Sequence, residues 1–263
     1  MQPVAMTIAG SDPSGGAGIQ ADLKTFHQFG VYGEAVLTLL TVQNTMRVDR
    51  VECLAPDLVV AQAEAVLEDI PPAAIKTGAL GNAAIVAAVA DLVSRLDIPV
   101  VVDPVMISKH GSPLLSGQAQ DAMKDRLLPQ AELVTPNLPE AEVLTGKPVR
   151  GIPGMKKACR ELAQMGAHAV LIKGGHADGP AVDVLFVDGD WIECPAPRFD
   201  TPHTHGTGCT FSAAITAGLA LGQDLPAAVL RAKSFISAAI AANPGLGSGS
   251  GPVNHHVPVE APR

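Results

Sequence analysis

The stretch HGTGCTFSAAITAGLALG, His205 to Gly222, opens glycine-rich and continues as an apolar helix. The glycines of GTG allow an anion to approach the backbone closely. A helix beginning near Cys209 would aim free N–H groups, and the positive end of its dipole, at the same point. A thiol placed there has its anion stabilised, so its pKa should fall below the free value of about 8.5. Cys209 could then accept a proton from a substrate hydroxyl or mark where developing negative charge is held. The alternative is a small residue opening a packed helix.

Other residues suited to chemistry lie in short loops. AGSDPSGGAGIQADLKT is a second glycine-rich loop, with Asp12 and Asp22 beside its glycines. It lacks both the GxxxxGK[ST] and the GxGxxG spacing, and its carboxylates could equally be helix caps or solvent-facing groups. TPNLPEAE offers Asn137 and Glu140, three residues apart. Their oxygens suit Mg²⁺ on a phosphate, or Asn137 caps a helix with Glu140 in its first turn. Asp103 in VVDPV could also reach a metal, and Lys173 in LIKGGH could meet a nucleotide phosphate; either could be a surface charge. His203, His205, His110, His255 and His256 read as loop residues, because the HxH pair has no third metal ligand at a recognisable spacing.

These loops need elements to hold them. Val4–Ala9 reads as a buried strand, followed by a helix from Ile19 to Gly30. Glu34–Leu40 and Arg50–Leu54 read as strands around the polar turn TVQNT. Pro56 opens a helix to about Asp69, Ala73–Gly78 is a strand, and Asn82 caps the next helix. The alternation continues with strand Pro99–Pro104, helix Gln118–Leu128, strand AELVTPN and a short helix closed by Gly146. Lys156–Met165 is a helix and Ala169–Gly175 a strand. VDVLFVDGDWIEC has the alternation and Asp-Gly turn of a hairpin. Helices Thr210–Leu221 and Ala227–Ala242 precede a Gly/Ser-rich tail. Such alternation predicts an α/β fold with a mostly parallel sheet covered on both faces, in one domain over residues 1–263. Ligands of such sheets bind at the C-terminal strand ends, where the loops after Ala9, Leu40, Lys76, Val102, Thr135 and Lys173 fall.

Composition excludes several classes. Hydrophobic residues make up 47%, charged residues 17% and aromatics 3%, which is a globular chain with an aliphatic core. The net charge of −8, without a Lys/Arg run, argues against nucleic acid. Four widely spaced cysteines give neither a disulfide framework nor a zinc site. No window reaches the roughly 18 apolar residues of a membrane helix, so a soluble, cytoplasmic protein is expected.

Taken together, AGSDPSGGAGIQADLKT, TVQNT, IKTGALG, VVDPVM, TPNLPEAE, LIKGGH, HGTGCTFSAAI and GPVNH resemble the hydroxymethylpyrimidine/phosphomethylpyrimidine kinase family of thiamine biosynthesis, within the ribokinase-like superfamily. They occur in family order over almost the whole chain. The resemblance implies a ribokinase-like three-layer αβα sandwich. It implies ATP-dependent phosphorylation of 4-amino-5-hydroxymethyl-2-methylpyrimidine and, in many members, of its monophosphate. It makes Cys209 the proton acceptor, with the N–H groups of Gly206, Thr207, Gly208 and Cys209 as anion hole, where sugar-kinase relatives place Asp. Gln43 matches the residue that hydrogen-bonds the aminopyrimidine, and Gly10, Asp22 and Val105 help to form the pocket. Asn137 and Glu140 match the metal motif, and Lys173 belongs near the nucleotide phosphates. A homodimer is also implied.

One residue departs from the family: Ala79 stands where Met is common. Leu80 or Met106 would have to supply that wall; otherwise the lost contact costs about 1–3 kcal/mol and leaves room for a bulkier ring. Pyridoxal or pyridoxine kinase is therefore the nearest rival reading. A sugar kinase and a catalytically silent ligand-binding protein are more distant ones.

Overall fold

The computed structural model describes residues 2–106, 117–175 and 181–260. His110 lies outside them. Among the described residues nine strands form one sheet: β1 (Val4–Ser11), β2 (Tyr32–Gln43), β3 (Val48–Cys53), β4 (Ala74–Thr77), β5 (Val100–Val102), β6 (Leu133–Val134), β7 (Ala169–Ile172), β8 (Ala181–Val187) and β9 (Asp190–Ala196). Their order is β3-β2-β1-β4-β5-β6-β7-β8-β9. The five pairings from β2 through β7 are parallel, and β3, β8 and β9 join antiparallel at the edges. The expected mostly parallel sheet is present.

The sheet is covered on both faces because its central strands are apolar on both. Met6, Ile8, Val100, Val102, Val134, Val170 and Ile172 belong to one core cluster. The alternate residues Ala5, Val101, Leu133, Ala169 and Leu171 belong to the other, the period of two that a pleated strand imposes. Helices α2 (Pro56–Asp69), α3 (Ala83–Val93), α4 (Gly117–Ala122), α5 (Leu138–Thr145) and α6 (Gly151–Gln164) contribute to the first cluster or pack beside it. Helices α1 (Gly18–Gln28), α7 (Thr207–Ala220) and α8 (Leu225–Ala241) cover the other face. This is the three-layer sandwich expected.

Several boundaries differ from the sequence reading. Thr41, Val42 and Gln43 continue β2, so the turn is only Asn44–Arg47. The helix after Gly117 widens into a π-type turn at Met123–Leu127 and tightens at Leu128–Gln130, where Pro129 cannot continue it. Helix α6 starts at Gly151, since Pro153 is tolerated in a first turn that needs no N–H donor. The β8–β9 turn places Asp188 at φ 52° and Gly189 at φ 86°, as a tight hairpin requires.

Sequence neighbours of β1 part company at the centre of the sheet. β2 pairs on one side of β1 and β4 on the other, so the connecting chains diverge and leave a crevice at the C-terminal strand ends. Helix α7 packs across this region against β1, β4 and α1, and ten of its fourteen residues are buried, which only a run of small side chains permits at that closeness. Gly218 faces α8, where an added Cβ would stand 2.8 Å from Ala228 Cβ and 3.1 Å from its Cα. Helix propensity favours alanine there by about 1 kcal/mol, whereas overpacking costs about 1–3 kcal/mol. Packing should win: Gly218→Ala is expected to lower the thermal midpoint. A raised midpoint would show that α7 and α8 can separate freely.

Candidate active site

A cavity of about 440 Å³ opens at that crevice. Its walls come from the ends of β1, β2 and β4, the loops after β5 and β7, and the starts of α5 and α7. Gly10, Gln43, Ala79, Val105, Asp103, Asn137, Glu140, Lys173, Gly206, Thr207, Gly208 and Cys209 all line it. Residues read from seven separate segments therefore share one space. Asp22 is the exception. It is fully buried on α1 and lies behind the wall, where its Oδ2 accepts from Lys76 Nζ at 2.8 Å and from Thr7 Oγ1 at 2.7 Å. Lys76, which the sequence reading did not single out, takes the wall position.

Helix α7 begins at Thr207, earlier than expected, because Gly206 adopts φ 78° and turns the chain into the helix. A Cβ at Gly206 would overlap the Gly16 carbonyl oxygen. Among the described residues, the N–H groups of Gly206, Gly208 and Cys209 have no hydrogen-bond acceptor, while Thr207 N–H donates to Thr204 O at 3.3 Å. These are the unpaired donors of a helix N-terminus, and three of the four expected anion-hole groups are open.

The thiol corrects an expectation. Cys209 sits in the first turn of α7 rather than ahead of it, and burial pushes its pKa up to about 12. Lys76 pulls the other way, and the Asp22 and Asp103 carboxylates add to the rise. The helix terminus was legible in sequence; the desolvation and the two carboxylates that raise the thiol were not.

On the other wall, Lys173 Nζ lies 2.9 Å from Asp103 Oδ1. Burial opposes the ammonium, but Asp103 and Glu140 outweigh it and hold the Lys173 pKa above its ordinary value. Asp103 also accepts from Thr135 Oγ1 and Ser212 Oγ, each at 3.3 Å. Asn137 and Glu140 form a capping box on α5: Asn137 Oδ1 accepts from Glu140 N–H at 2.9 Å, and Glu140 Oε2 from Asn137 N–H at 2.8 Å. Burial raises Glu140 to about 7, with Lys173 opposing the rise and Asp103 adding to it. The cap is thus formed, and Glu140 Oε1 remains without a hydrogen-bond partner among the described residues.

Ala79 meets the cavity and its carbonyl accepts from Thr38 Oγ1 at 2.6 Å. Of the two neighbours expected to replace the family's larger side chain, Met106 lines the cavity and Leu80 is buried in the core. Asp12 and His205 were read as a cap or solvent-facing carboxylate and a loop imidazole. They are buried against each other, His205 Nε2 lying 2.7 Å from Asp12 Oδ2. His255 is buried too, its Nε2 at 2.9 Å from Thr210 Oγ1.

The phosphomethylpyrimidine kinase family pattern matches residues 12–254. The chain belongs to that family. It is 48% identical over 258 residues to the hydroxymethylpyrimidine/phosphomethylpyrimidine kinase of Haemophilus influenzae, covering 95% of each chain. It is 44% identical over 254 residues to the Bacillus subtilis enzyme of the same description, covering 95% of this chain and 94% of the other. Among solved structures, an ADP complex of Bacillus subtilis pyridoxal kinase superposes with a TM-score of 0.91 at 38% identity, covering 97% of this chain and 98% of that one. The phosphomethylpyrimidine kinase of Clostridium difficile superposes at 0.80 with 43% identity, covering 89% and 98%. No described helix is long and apolar enough to cross a membrane.

Only the thiolate attacks alkylating reagents. Iodoacetamide labelling of Cys209 in the ligand-free protein should therefore rise about tenfold per pH unit up to about pH 11. Site-resolved mass spectrometry reads this, with exposed Cys53 as internal control. A plateau near pH 8 would mean that the helix terminus prevails over burial after all.

Proposed function

We propose that the chain transfers phosphate from ATP to the hydroxymethyl group of 4-amino-5-hydroxymethyl-2-methylpyrimidine, and then phosphorylates the monophosphate, for thiamine biosynthesis. One observation carries this reading: Gln43, Val105 and Gly10 share a single cavity with Cys209, the open N–H groups of α7 and Lys173. The side-chain amide of Gln43 offers donor and acceptor together, which suits an aminopyrimidine edge. The family relationship supports the substrate, and solved relatives that bind ADP support the nucleotide. All nine described strands belong to one sheet, which supports one working domain.

The substrate hydroxyl attacks the γ-phosphorus in line with departing ADP. The Gly206, Gly208 and Cys209 N–H groups and the Lys173 ammonium hold the charge that spreads over the phosphoryl oxygens. Cys209 takes the hydroxyl proton late. To do so it must react as the thiolate, its own proton having passed to water; Lys76 favours that form against burial. Asp22 acts behind the wall by keeping Lys76 charged.

The oxygen donors of Glu140, Asn137 and Asp103 fit Mg²⁺ carried on phosphates and water rather than caged by protein. Asp103 is shared with Lys173, Asn137 is engaged in the cap, and Glu140 Oε1 is open. Bound there, the cation would neutralise phosphate charge. Pyridoxal is the second candidate substrate, favoured by the small Ala79 at the cavity wall. A homodimer is supported by exposed Leu40, Val42 and Met46 on and beside β2, an apolar surface suited to a second copy.

The decisive assay offers MgATP with hydroxymethylpyrimidine, its monophosphate and pyridoxal separately. Turnover of both pyrimidines with pyridoxal poor is expected, and preference for pyridoxal would overturn the substrate. Cys209→Ala should lower kcat by about 10²–10⁴-fold; undiminished turnover would remove the cysteine from the scheme. Sedimentation should give twice the chain mass, and a monomer would contradict the pairing.

A further inference from the structure

Asp12 and His205 stand 193 residues apart in sequence, one in each glycine-rich loop. Although both belong to loops, they are only 2% and 5% exposed. Asp12 is the hub of its loop: its carboxylate accepts from Ser14 N–H (2.8 Å), Ser14 Oγ (2.7 Å), Gly16 N–H (3.2 Å) and Ala17 N–H (2.8 Å). The fifth contact, to His205 Nε2 at 2.7 Å, leaves the loop and reaches the residue immediately before Gly206.

His205 is fixed from its other side by the backbone near the C-terminus. Its N–H donates to Gly251 O at 3.0 Å and its carbonyl accepts from Val253 N–H at 3.2 Å. Its ring has little room to move, since a Cβ added at Gly16 would meet Cδ2 at 2.5 Å and Pro252 Cβ at 3.1 Å. Burial works against the Asp12 charge, and His205 and Ser14 outweigh it, holding the carboxyl below its usual range. The Gln43 amide adds to that stabilisation. One carboxylate is therefore tied both to its own glycine-rich loop and to the turn that carries the open N–H groups.

Resting on the reading of this cavity as a phosphoryl-transfer site, we propose that the Asp12–His205 pair is a positioning device. It fixes the Gly206–Cys209 turn against the Gly10–Gly18 loop and so sets where the anion-hole donors point. His205 acts through that turn, its Nε2 being engaged by Asp12. A misplacement of about 1 Å in such a turn can cost about a hundredfold in rate, so the loss belongs in kcat rather than in pyrimidine binding.

The test compares His205→Leu, which deletes the donor, with His205→Gln, whose amide nitrogen can reach Asp12. In steady-state kinetics with the full chain, His205→Leu should lower kcat by about 30–100-fold. KM for hydroxymethylpyrimidine should stay within about threefold, and His205→Gln should recover most of the rate. The proposal is overturned by a leucine variant within about threefold of wild-type kcat, by a loss confined to KM, or by a glutamine variant no better than leucine. If the leucine variant does not fold, His205→Asn, whose amide is too short for Asp12, takes its place with the same expectations. Amide exchange at Thr207 and Thr210 is read alongside, without substrate. It should quicken by about tenfold in the leucine or asparagine variant and stay near wild type in the glutamine variant; unchanged exchange in all of them overturns the proposal. Should the wild-type chain phosphorylate none of the substrates offered, the functional reading fails, and the exchange comparison still decides whether the pair holds the turn.

Discussion

Gly206 and the Gly16 carbonyl meet with no room for a single extra carbon. That contact joins the loop after β1 to the start of α7, two segments nearly two hundred residues apart in sequence. Backbone-to-backbone packing of this kind demands glycine at Gly206, both for space and for its φ of 78°. Its result is a helix N-terminus aimed into the crevice between β1 and β4, with N–H groups that no other part of the described chain uses. The rest of the site is arranged around those donors.

Buried charge is the second organising force. Lys76 with Asp22, Lys173 with Asp103, and His205 with Asp12 each bring a basic group to the cavity wall and set a carboxylate against it. Such pairs recover little stability beyond the desolvation they cost, and breaking one leaves an expensive unpaired charge. Their value here is placement. Lys76 and Lys173 come from a strand and from a strand end, so rigid backbone fixes both side chains at the cavity wall. Lys233 and Asp183 form a similar pair away from the cavity, tying α8 to β8; close pairing is therefore not by itself a sign of a site, and the shared cavity is what separates the others.

Much of this was legible in sequence because it is local. Strand periodicity, the Asp-Gly hairpin, the Asn82 cap and the glycine loops each depend on neighbours within a few residues. Alternation of strands and helices also gave the layers, and the strand-end rule gave the cavity. What escaped depends on distant residues. The Cys209 thiol sits at a helix N-terminus, as expected, but desolvation by the surrounding fold, with Asp22 and Asp103 adding to it, reverses the expected shift. Asp12 and His205 read as ordinary loop residues because their partnership spans most of the chain. Asp22 carried the right chemistry but the wrong depth: Lys76 stands between it and the cavity, which no spacing reveals. Asn137 and Glu140 were open between cap and metal ligand, and the completed cap leaves a carboxylate oxygen for a cation as well.

The central claim is geometric: a pyrimidine hydroxymethyl group is held by Gln43 and aimed at the open N–H groups of α7. A crystal structure with hydroxymethylpyrimidine and a non-hydrolysable ATP analogue tests it most directly. The account predicts the aminopyrimidine edge hydrogen-bonded to the Gln43 amide, the hydroxyl beside Cys209 Sγ, and the terminal phosphate on the Gly206, Gly208 and Cys209 N–H groups. A pyrimidine bound without Gln43, or a terminal phosphate seated away from the start of α7, would contradict it.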